Sequence, residues 1–506
     1  MTADLVLGID CSTTAAKAIV WDQKGRAVSS GRAAFGHSTP KPGWGEQDPV
    51  EWWRTTCEAI GQACRQIDPS RLAALSIAHQ RETFVCLDEA GHALRPAILW
   101  LDTRAAEEVE NFGTDAVHAI TGKPPNTATS WYKLLWLKKH ELRVLERAHR
   151  VVDVHGYLVH RLTGEWRGSY GSIDPLGVLD LKRFALHGGL IGQTGLAPEH
   201  FGDIVAPGEV LGTVRPDVAA DFGLIPGLKV VAGLGDGQAA GLGVGITRPG
   251  EAYLNLGTGI VSGTFSANYQ VDRAFRLMVG GVPGSYLIET FFGGGTYNIN
   301  WFVERFSDIG RDPFHLDLSP EQILETAAAS LPPGSEGLLA LPYLTGVLTP
   351  YWDSAARGVF FGLSSRHGKA HFYRAILEGL AMEQRLSTTS AERVTGSTTD
   401  RFLVMGGGSR SELWCQIVAD ILQRPVEVAR EGEATCLGAA MLAAKGAGFF
   451  DSVEDAASAM SGSGRVYLPD RERGLKYDRF YEIYKTVYPS LRDQFRQLQD
   501  ATHDAA

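Results

Sequence analysis

The chain opens on an apolar, β-branched run, Leu5-Val6-Leu7-Gly8-Ile9, that ends in a lone carboxylate, Asp10. It turns through Cys11-Ser12-Thr13-Thr14 and enters a second apolar run, Ala15-Ala16-Lys17-Ala18-Ile19-Val20. Two such runs joined by a tight polar connection read as a β-hairpin, and residues 26–34, after the turn Asp22-Gln23-Lys24-Gly25, extend it to a meander. The hydroxyl-bearing turn can offer N–H groups and side-chain oxygens to phosphate, while Asp10 can hold a divalent cation. Taken alone, the segment is equally well an ordinary hairpin with an exposed acid. The same theme returns in the second half of the chain as residues 252–256, Gly257-Thr258-Gly259 and residues 260–265. That echo suggests two related α/β halves facing one cleft.

At 506 residues the chain is too long for a single core, and Arg248-Pro249-Gly250 is the best break, giving domains 1–247 and 248–506. Apolar residues at 44% and charged residues at 21% fit a globular protein rather than a disordered one. A net charge of −10 with no Lys/Arg-rich block argues against nucleic acid as a partner. The six cysteines are scattered without a Cys-x-x-Cys pair, so buried reduced thiols are expected rather than disulfides or zinc. Met1-Thr2-Ala3-Asp4 lacks a basic leader, and no apolar run approaches the roughly 18 residues of a membrane span. A cytoplasmic protein with no membrane association is expected.

Elements alternate as an α/β chain should. A helix starts with Asp48 as N-cap, Pro49 in the first turn and Glu51 closing a capping box. Its apolar residues Val50, Trp53, Cys57, Ile60, Cys64 and Ile67 fall on one face. Residues 72–78, 84–87 and 151–154 read as strands, and 229–235 as a strand ending in glycine and Asp236, with a small-residue helix over 239–245. Later helices begin at Ser319, with Pro320 and Gln322 completing a capping box, near Lys369 and near Ser411; the tail around 477–495 is helical.

Conventional nucleotide motifs are missing: there is no intact P-loop, no G-x-G-x-x-G and no G-x-S-x-G. In their place are Gly-rich turns after strands. Gly257-Thr258-Gly259 is a second phosphate-turn candidate, and Met405-Gly406-Gly407-Gly408-Ser409 lets backbone approach a flat ligand or a phosphate at a helix start. Each is also readable as a purely structural turn. Asp236, between glycines at a strand end, is the best candidate base, with a turn-capping acid as the alternative. Phosphoryl transfer needs a metal-bound polyphosphate, a positioned nucleophile and an acceptor for its proton, tasks that Asp10 and Asp236 can divide from opposite sides of the cleft. Gln80-Arg81-Glu82-Thr83 supplies donors and acceptors suited to a polyol, and Trp100 with Asp102 can add a stacking face and an acceptor. An exposed salt-bridged loop and a core Trp beside a capping Asp are the duller readings.

Together these residues resemble the FGGY family of carbohydrate kinases. Gly358-Val359-Phe360-Phe361-Gly362-Leu363, followed by His371-Phe372-Tyr373-Arg374-Ala375-Ile376-Leu377-Glu378, is similar to the family's C-terminal signature. Ser130-Trp131-Tyr132-Lys133-Leu134-Leu135-Trp136-Leu137-Lys138-Lys139-His140 is similar to its N-terminal one, with Ala128 departing from the pattern. The resemblance implies two actin-like, ribonuclease-H-like ATPase domains around a central cleft, and ATP-dependent phosphorylation of a sugar or polyol with Mg2+. It places Asp10 at the metal, Thr13, Thr14, Gly257 and Thr258 at the phosphates, and Gly406, Gly407 and Ser411 at the adenosine, with Gly294 lining the nucleotide channel. It makes Asp236 the base and puts Gln80, Arg81, Glu82, Trp100, Asp236 and Gln238 around the acceptor. The partner implied is a small sugar or polyol, with a homodimer as the assembly to test.

The substrate is less settled. Pro42-Gly43-Trp44-Gly45-Glu46-Gln47-Asp48-Pro49 and Leu94-Arg95-Pro96-Ala97-Ile98-Leu99-Trp100 resemble xylulokinases, whereas Gln80-Arg81-Glu82-Thr83 resembles the substrate loop of glycerol kinases. Gly237 also separates Asp236 from Gln238, where both groups usually place an amide directly after the base. A ketose such as xylulose is therefore expected, with glycerol or a tetritol of the erythritol type as the alternative. A transfer-deficient, nucleotide-dependent regulatory protein is the non-enzyme alternative.

Overall fold

The computed structural model describes residues 3–306, 319–430 and 432–503. Two mixed sheets dominate it. The first contains β1 (Leu5–Cys11), β2 (Ala15–Asp22), β3 (Ala27–Ala34), β4 (Leu72–His79), β5 (Val210–Thr213) and β6 (Lys229–Gly235), in the order β5-β6-β4-β1-β2-β3. The second contains β7 (Glu251–Leu256), β8 (Ile260–Ser266), β9 (Arg276–Val279), β10 (Tyr286–Phe292), β11 (Arg401–Met405), β12 (Val426–Ala429) and β13 (Ser463–Tyr467), in the order β9-β10-β8-β7-β11-β12-β13.

The halves repeat one another strand for strand. In the first, β1, β2 and β3 are antiparallel, β4 runs parallel to β1, and β6 parallel to β4. In the second, β7, β8 and β10 are antiparallel, β11 runs parallel to β7, and β12 parallel to β11. Each carries one antiparallel edge strand, β5 on β6 and β13 on β12, and only β9 breaks the correspondence. This is the duplicated two-lobed α/β architecture expected from the two hairpins.

Seven helices matter below: α1 (Pro49–Cys64), α2 (Ser130–His140), α3 (Asp236–Gly243), α4 (Lys369–Thr395), α5 (Glu412–Leu422), α6 (Ala434–Ala447) and α7 (Arg471–His503). Asp48 caps α1 by accepting from the Val50 N–H, but no capping box forms, because Glu51 turns to the Arg54 guanidinium. The buried face of α1 is also rotated from the expected one. Trp52 is fully buried, its indole N–H donating to Gln47, while Val50 is exposed and the helix ends before Ile67. The expected capping box at Ser319 and Gln322 is present, and Ser411 caps α5.

α6 belongs to the second half of the sequence yet packs on the first sheet, its Cys436, Leu437, Ala440 and Met441 buried against Val6, Ile19, Ala74 and Ala239. Small residues make that approach feasible. A Cβ at Gly243 would lie 1.9 Å from the Ala434 carbonyl oxygen, one at Gly438 1.9 Å from that of Ala239, and one at Gly8 2.0 Å from that of Cys436. All six cysteines are free and buried. Among the described residues no helix is long and apolar enough to cross a membrane.

Candidate active site

In α/β sheets ligands gather at the carboxyl ends of parallel strands, and here the candidate residues lie at those ends. β1 carries Asp10 as its penultimate residue, just before the Ser12–Thr14 turn; β4 runs out into Gln80, Arg81 and Glu82; β6 delivers Asp236 as the first residue of α3. Asp10 and Asp236 thus stand two strands apart on one wall, not on opposite sides of the cleft. The second lobe contributes the Gly257-Thr258-Gly259 turn after β7 and the Gly406-Gly407-Gly408 turn after β11. Asn255 pairs with Met405 across β7 and β11, so these two turns lie side by side. Gly406 has φ +84°, and a Cβ there would lie 2.4 Å from the Asn255 side-chain oxygen, so only glycine fits.

Asp10 Oδ1 is shielded from solvent and has no hydrogen-bond partner. Burial and the nearby Asp236 charge raise the Asp10 carboxyl to about 7, with Lys17 opposing. A cation would relieve both effects. Among the described residues no group of three or more His, Cys, Asp or Glu is arranged to hold a metal. That donor set fits Mg2+, which characteristically takes one or two carboxylates and draws its other ligands from phosphates and water. Lys17, directly across β1 and β2 from Asp10, reaches Glu433 of the second lobe at 2.7 Å.

Asp236 is 41% exposed at its side chain, the open member of an otherwise buried cluster. Its Oδ1 accepts from the Gly237 N–H at 2.7 Å and meets Arg81 Nε at 3.0 Å. Arg81 Nη1 donates to Glu289 Oε2 at 2.8 Å, Arg276 Nε donates to Glu289 Oε1, and Arg276 Nη1 donates to Glu82 Oε1 at 2.8 Å. Asp236, Arg81 and Glu82 come from the first lobe; Glu289 and Arg276, facing each other on β10 and β9, come from the second. Burial alone would raise the Glu289 carboxyl, but Arg276 and Arg81 overcome it and bring it down to about 2. Glu82 holds φ +51°, a strained backbone for a residue other than glycine.

The remaining candidates take distinct places. Trp100 is 40% exposed, and its indole N–H donates to Thr13 Oγ1 at 3.0 Å. Behind it Lys133 of α2 is buried and donates to the carbonyls of Leu99, Trp100 and Ala128, with burial lowering its ammonium to about 7. Gln80 is buried and donates to Gln47, and Gln238 is buried and donates to the Gly171 carbonyl; the Oε1 of each has no partner. Thr14 and Thr258 are exposed at their turns, as are Gly406 and Gly407, and a Cβ at Gly407 would meet open space. Gly294 is buried against Asn298 and Phe292. The Ser411 hydroxyl accepts from the Trp414 N–H and donates to Glu325. Glu289, Arg276, Lys17 and Glu433 escaped the reading of the sequence. A lone carboxylate within the apolar strand Tyr286-Leu287-Ile288-Glu289-Thr290-Phe291-Phe292 was the one available signal.

Carboxylates at the strand ends of one sheet and glycine-rich turns at the strand ends of the other are parts that phosphoryl transfer can use. Residues 5–243 match the N-terminal domain of the FGGY family of carbohydrate kinases, and residues 252–447 match its C-terminal domain. The chain is 29% identical over 500 residues to the xylulose kinase of Bacillus subtilis, covering 96% of this chain and 97% of the relative. It is 27% identical over 504 residues to the gluconokinase of the same organism, covering 98% of each. The crystal structure of xylulose kinase from Rhodospirillum rubrum superposes with a TM-score of 0.90 at 30% identity, over 97% of this chain and 100% of that one. The chain belongs to the FGGY family of carbohydrate kinases and is an ATP-dependent sugar-phosphorylating enzyme.

Proposed function

We propose that this kinase transfers the γ-phosphoryl group of ATP to a terminal hydroxyl of a ketose such as xylulose, with Asp236 as general base. The observation that carries the reading is the state of Asp236: Oδ1 is pinned by the Gly237 N–H and Arg81, while the side chain stays open to the cleft. Oδ2 then receives the hydroxyl proton as the oxygen attacks in line. The Ser12–Thr14 and Gly257–Gly259 turns cradle the phosphates, and the Gly406–Gly408 turn with Ser411 borders the adenosine. Bound at Asp10, Mg2+ supplies charge neutralisation for the polyphosphate. Trp100, held by Thr13 and Lys133, forms a wall for the acceptor beside Arg81 and Glu82. Closure of the lobes excludes water and limits idle ATP hydrolysis. The enzyme works in the cytoplasm.

Glycerol or a tetritol is the second reading, favoured by the Gln80-Arg81-Glu82 loop, whose donors and acceptors suit a short polyol. The test is ADP release with xylulose, glycerol and erythritol, on the parent enzyme and on Asp236→Ala. Acceptor-dependent ADP release should fall by about 10²–10⁴-fold in the variant while ATP binding persists. Full activity in Asp236→Ala removes it as the base.

A further inference from the structure

We propose that Glu289 is a positioning and specificity residue, which makes the acceptor pocket a site for neutral polyols and ketoses that turns away sugar acids. The inference rests on the kinase reading of the cleft and narrows its substrate class. Glu289 is fully buried and both of its carboxylate oxygens are engaged, Oε2 by Arg81 and Oε1 by Arg276, with the Tyr253 hydroxyl 3.4 Å from Oε2. Arg81 meanwhile reaches Asp236, and Arg276 reaches Glu82. Each guanidinium therefore bridges two carboxylates, and at 9% and 13% side-chain exposure neither presents an open fork to solvent. Three carboxylates share two guanidinium groups, so the cluster is net negative.

The other cations nearby are occupied too: Lys123 pairs with Asp174, and Lys133 caps three backbone carbonyls. Recognition of a substrate carboxylate depends on a bidentate donor free to meet it. Here an acid would have to strip a buried guanidinium from its partner and enter a negative field. A neutral polyol needs only acceptors and donors at hydrogen-bond range, which Asp236 and the edges of the cluster supply.

Gly237 lies against the same pair. A Cβ at this position would lie 3.0 Å from Arg81 Cζ and 3.0 Å from Glu289 Oε2. The space beside the base is thus bordered by the Arg81–Glu289 pair, and a side chain on the residue following Asp236 fits only if that pair gives by a few tenths of an ångström. The pair also fixes the base, since the guanidinium that Glu289 holds is the one that meets Asp236 Oδ1.

The test compares kcat/KM of the full-length enzyme for D-xylulose, glycerol, erythritol and other neutral pentuloses and polyols with that for D-gluconate and shorter aldonates. A neutral compound should be preferred over every aldonate by about 100-fold or more. In Glu289→Gln, kcat on the preferred neutral substrate should fall about 10–100-fold with the ATP KM unchanged, and discrimination against gluconate should narrow. Glu289→Asp, which keeps the charge, should recover part of that loss. Should Glu289→Gln fail to fold, Gly237→Ala crowds the same pair with no charge removed and should also lower kcat. Gluconate turned over as well as the best neutral compound overturns the inference and leaves the kinase reading intact. Parent kinetics in Glu289→Gln, or parent kcat in Gly237→Ala, overturn it likewise. No acceptor-dependent ADP release with any compound overturns both.

Discussion

Two groups flanking the site, the half-buried Asp10 and the buried Lys133, are held away from their ordinary protonation behaviour. Asp10 titrates at about 7 instead of 3.8, because burial and Asp236 penalise its charge. A carboxyl raised in the fold gives stability that is fully present below its unfolded value and is lost as pH rises toward 7. Asp10→Asn removes that loss: without nucleotide the variant should melt above the parent at pH 8 and close to it at pH 4. It should also lose the thermal upshift that MgATP gives the parent, since the oxygen left for the cation is now an amide. Melting curves at both pH values with and without MgATP check both halves, and an unchanged nucleotide upshift removes Asp10 from the metal. Lys133 acts on the other side of the pocket, where its donors hold the carbonyls of Leu99, Trp100 and Ala128. Lys133→Met leaves those carbonyls unmatched and frees the Trp100 wall. The acceptor KM should rise about 10-fold, equivalent to about 1.4 kcal/mol, with the ATP KM unchanged; equal shifts in both would point to general destabilisation instead.

The elements that positioned these residues differ in how plainly the sequence announced them. The hairpins at Asp10 and Gly257 were legible because alternation of apolar runs with a glycine- or hydroxyl-rich turn is a local signal, and the caps at Ser319 and Ser411 are equally local. The buried face of α1 was not. Trp52 and Trp53 are adjacent, and nothing local says that Trp52 is the fully buried ring, its indole N–H on Gln47, while Trp53 is half-buried beside Phe222. The packing of α6 on the first sheet was also hidden, since nothing in an alanine- and glycine-rich helix names its partner. What the structure adds is the meaning of Gly438 and Gly243, each lying where a Cβ would reach a backbone carbonyl of the facing helix at 1.9 Å. Backbone cannot yield as a flexible side chain would, so Gly438→Ala should separate α3 from α6. The expected cost is about 1–3 kcal/mol or more, read by denaturant unfolding, with weaker ATP binding because α6 also supports β1 behind Asp10. A variant as stable as the parent would mean that the crossing is looser than these distances indicate.

At the scale of the whole molecule the duplication was readable from the two hairpins, but the joining of the lobes was not, because its groups are remote in sequence. Arg81 and Glu289 lie 208 residues apart, and Glu82 and Arg276 lie 194 apart. A single sequence gives no sign that such residues will meet. Their meeting ties the acceptor loop of one lobe to β9 and β10 of the other, so the ion-pair chain is both part of the pocket and part of the interlobe joint. Its acid sensitivity follows from Glu289, whose carboxyl is lowered from 4.5 to about 2 by the two guanidinium groups. A carboxyl depressed in the fold contributes stability above its unfolded value and loses it as pH falls toward the folded one. Between pH 6 and pH 3 the parent should therefore lose stability on the order of 2 kcal/mol through this group. Glu289→Gln starts lower at pH 6 and should show a correspondingly shallower decline. Because the loss falls on the joint rather than on either core, the lobes should uncouple before they melt. Calorimetry of the parent should then give one transition near neutral pH and two near pH 2, where Glu289 takes up its proton, whereas two transitions at pH 7, or one at every pH, would show that the chain does not couple the lobes.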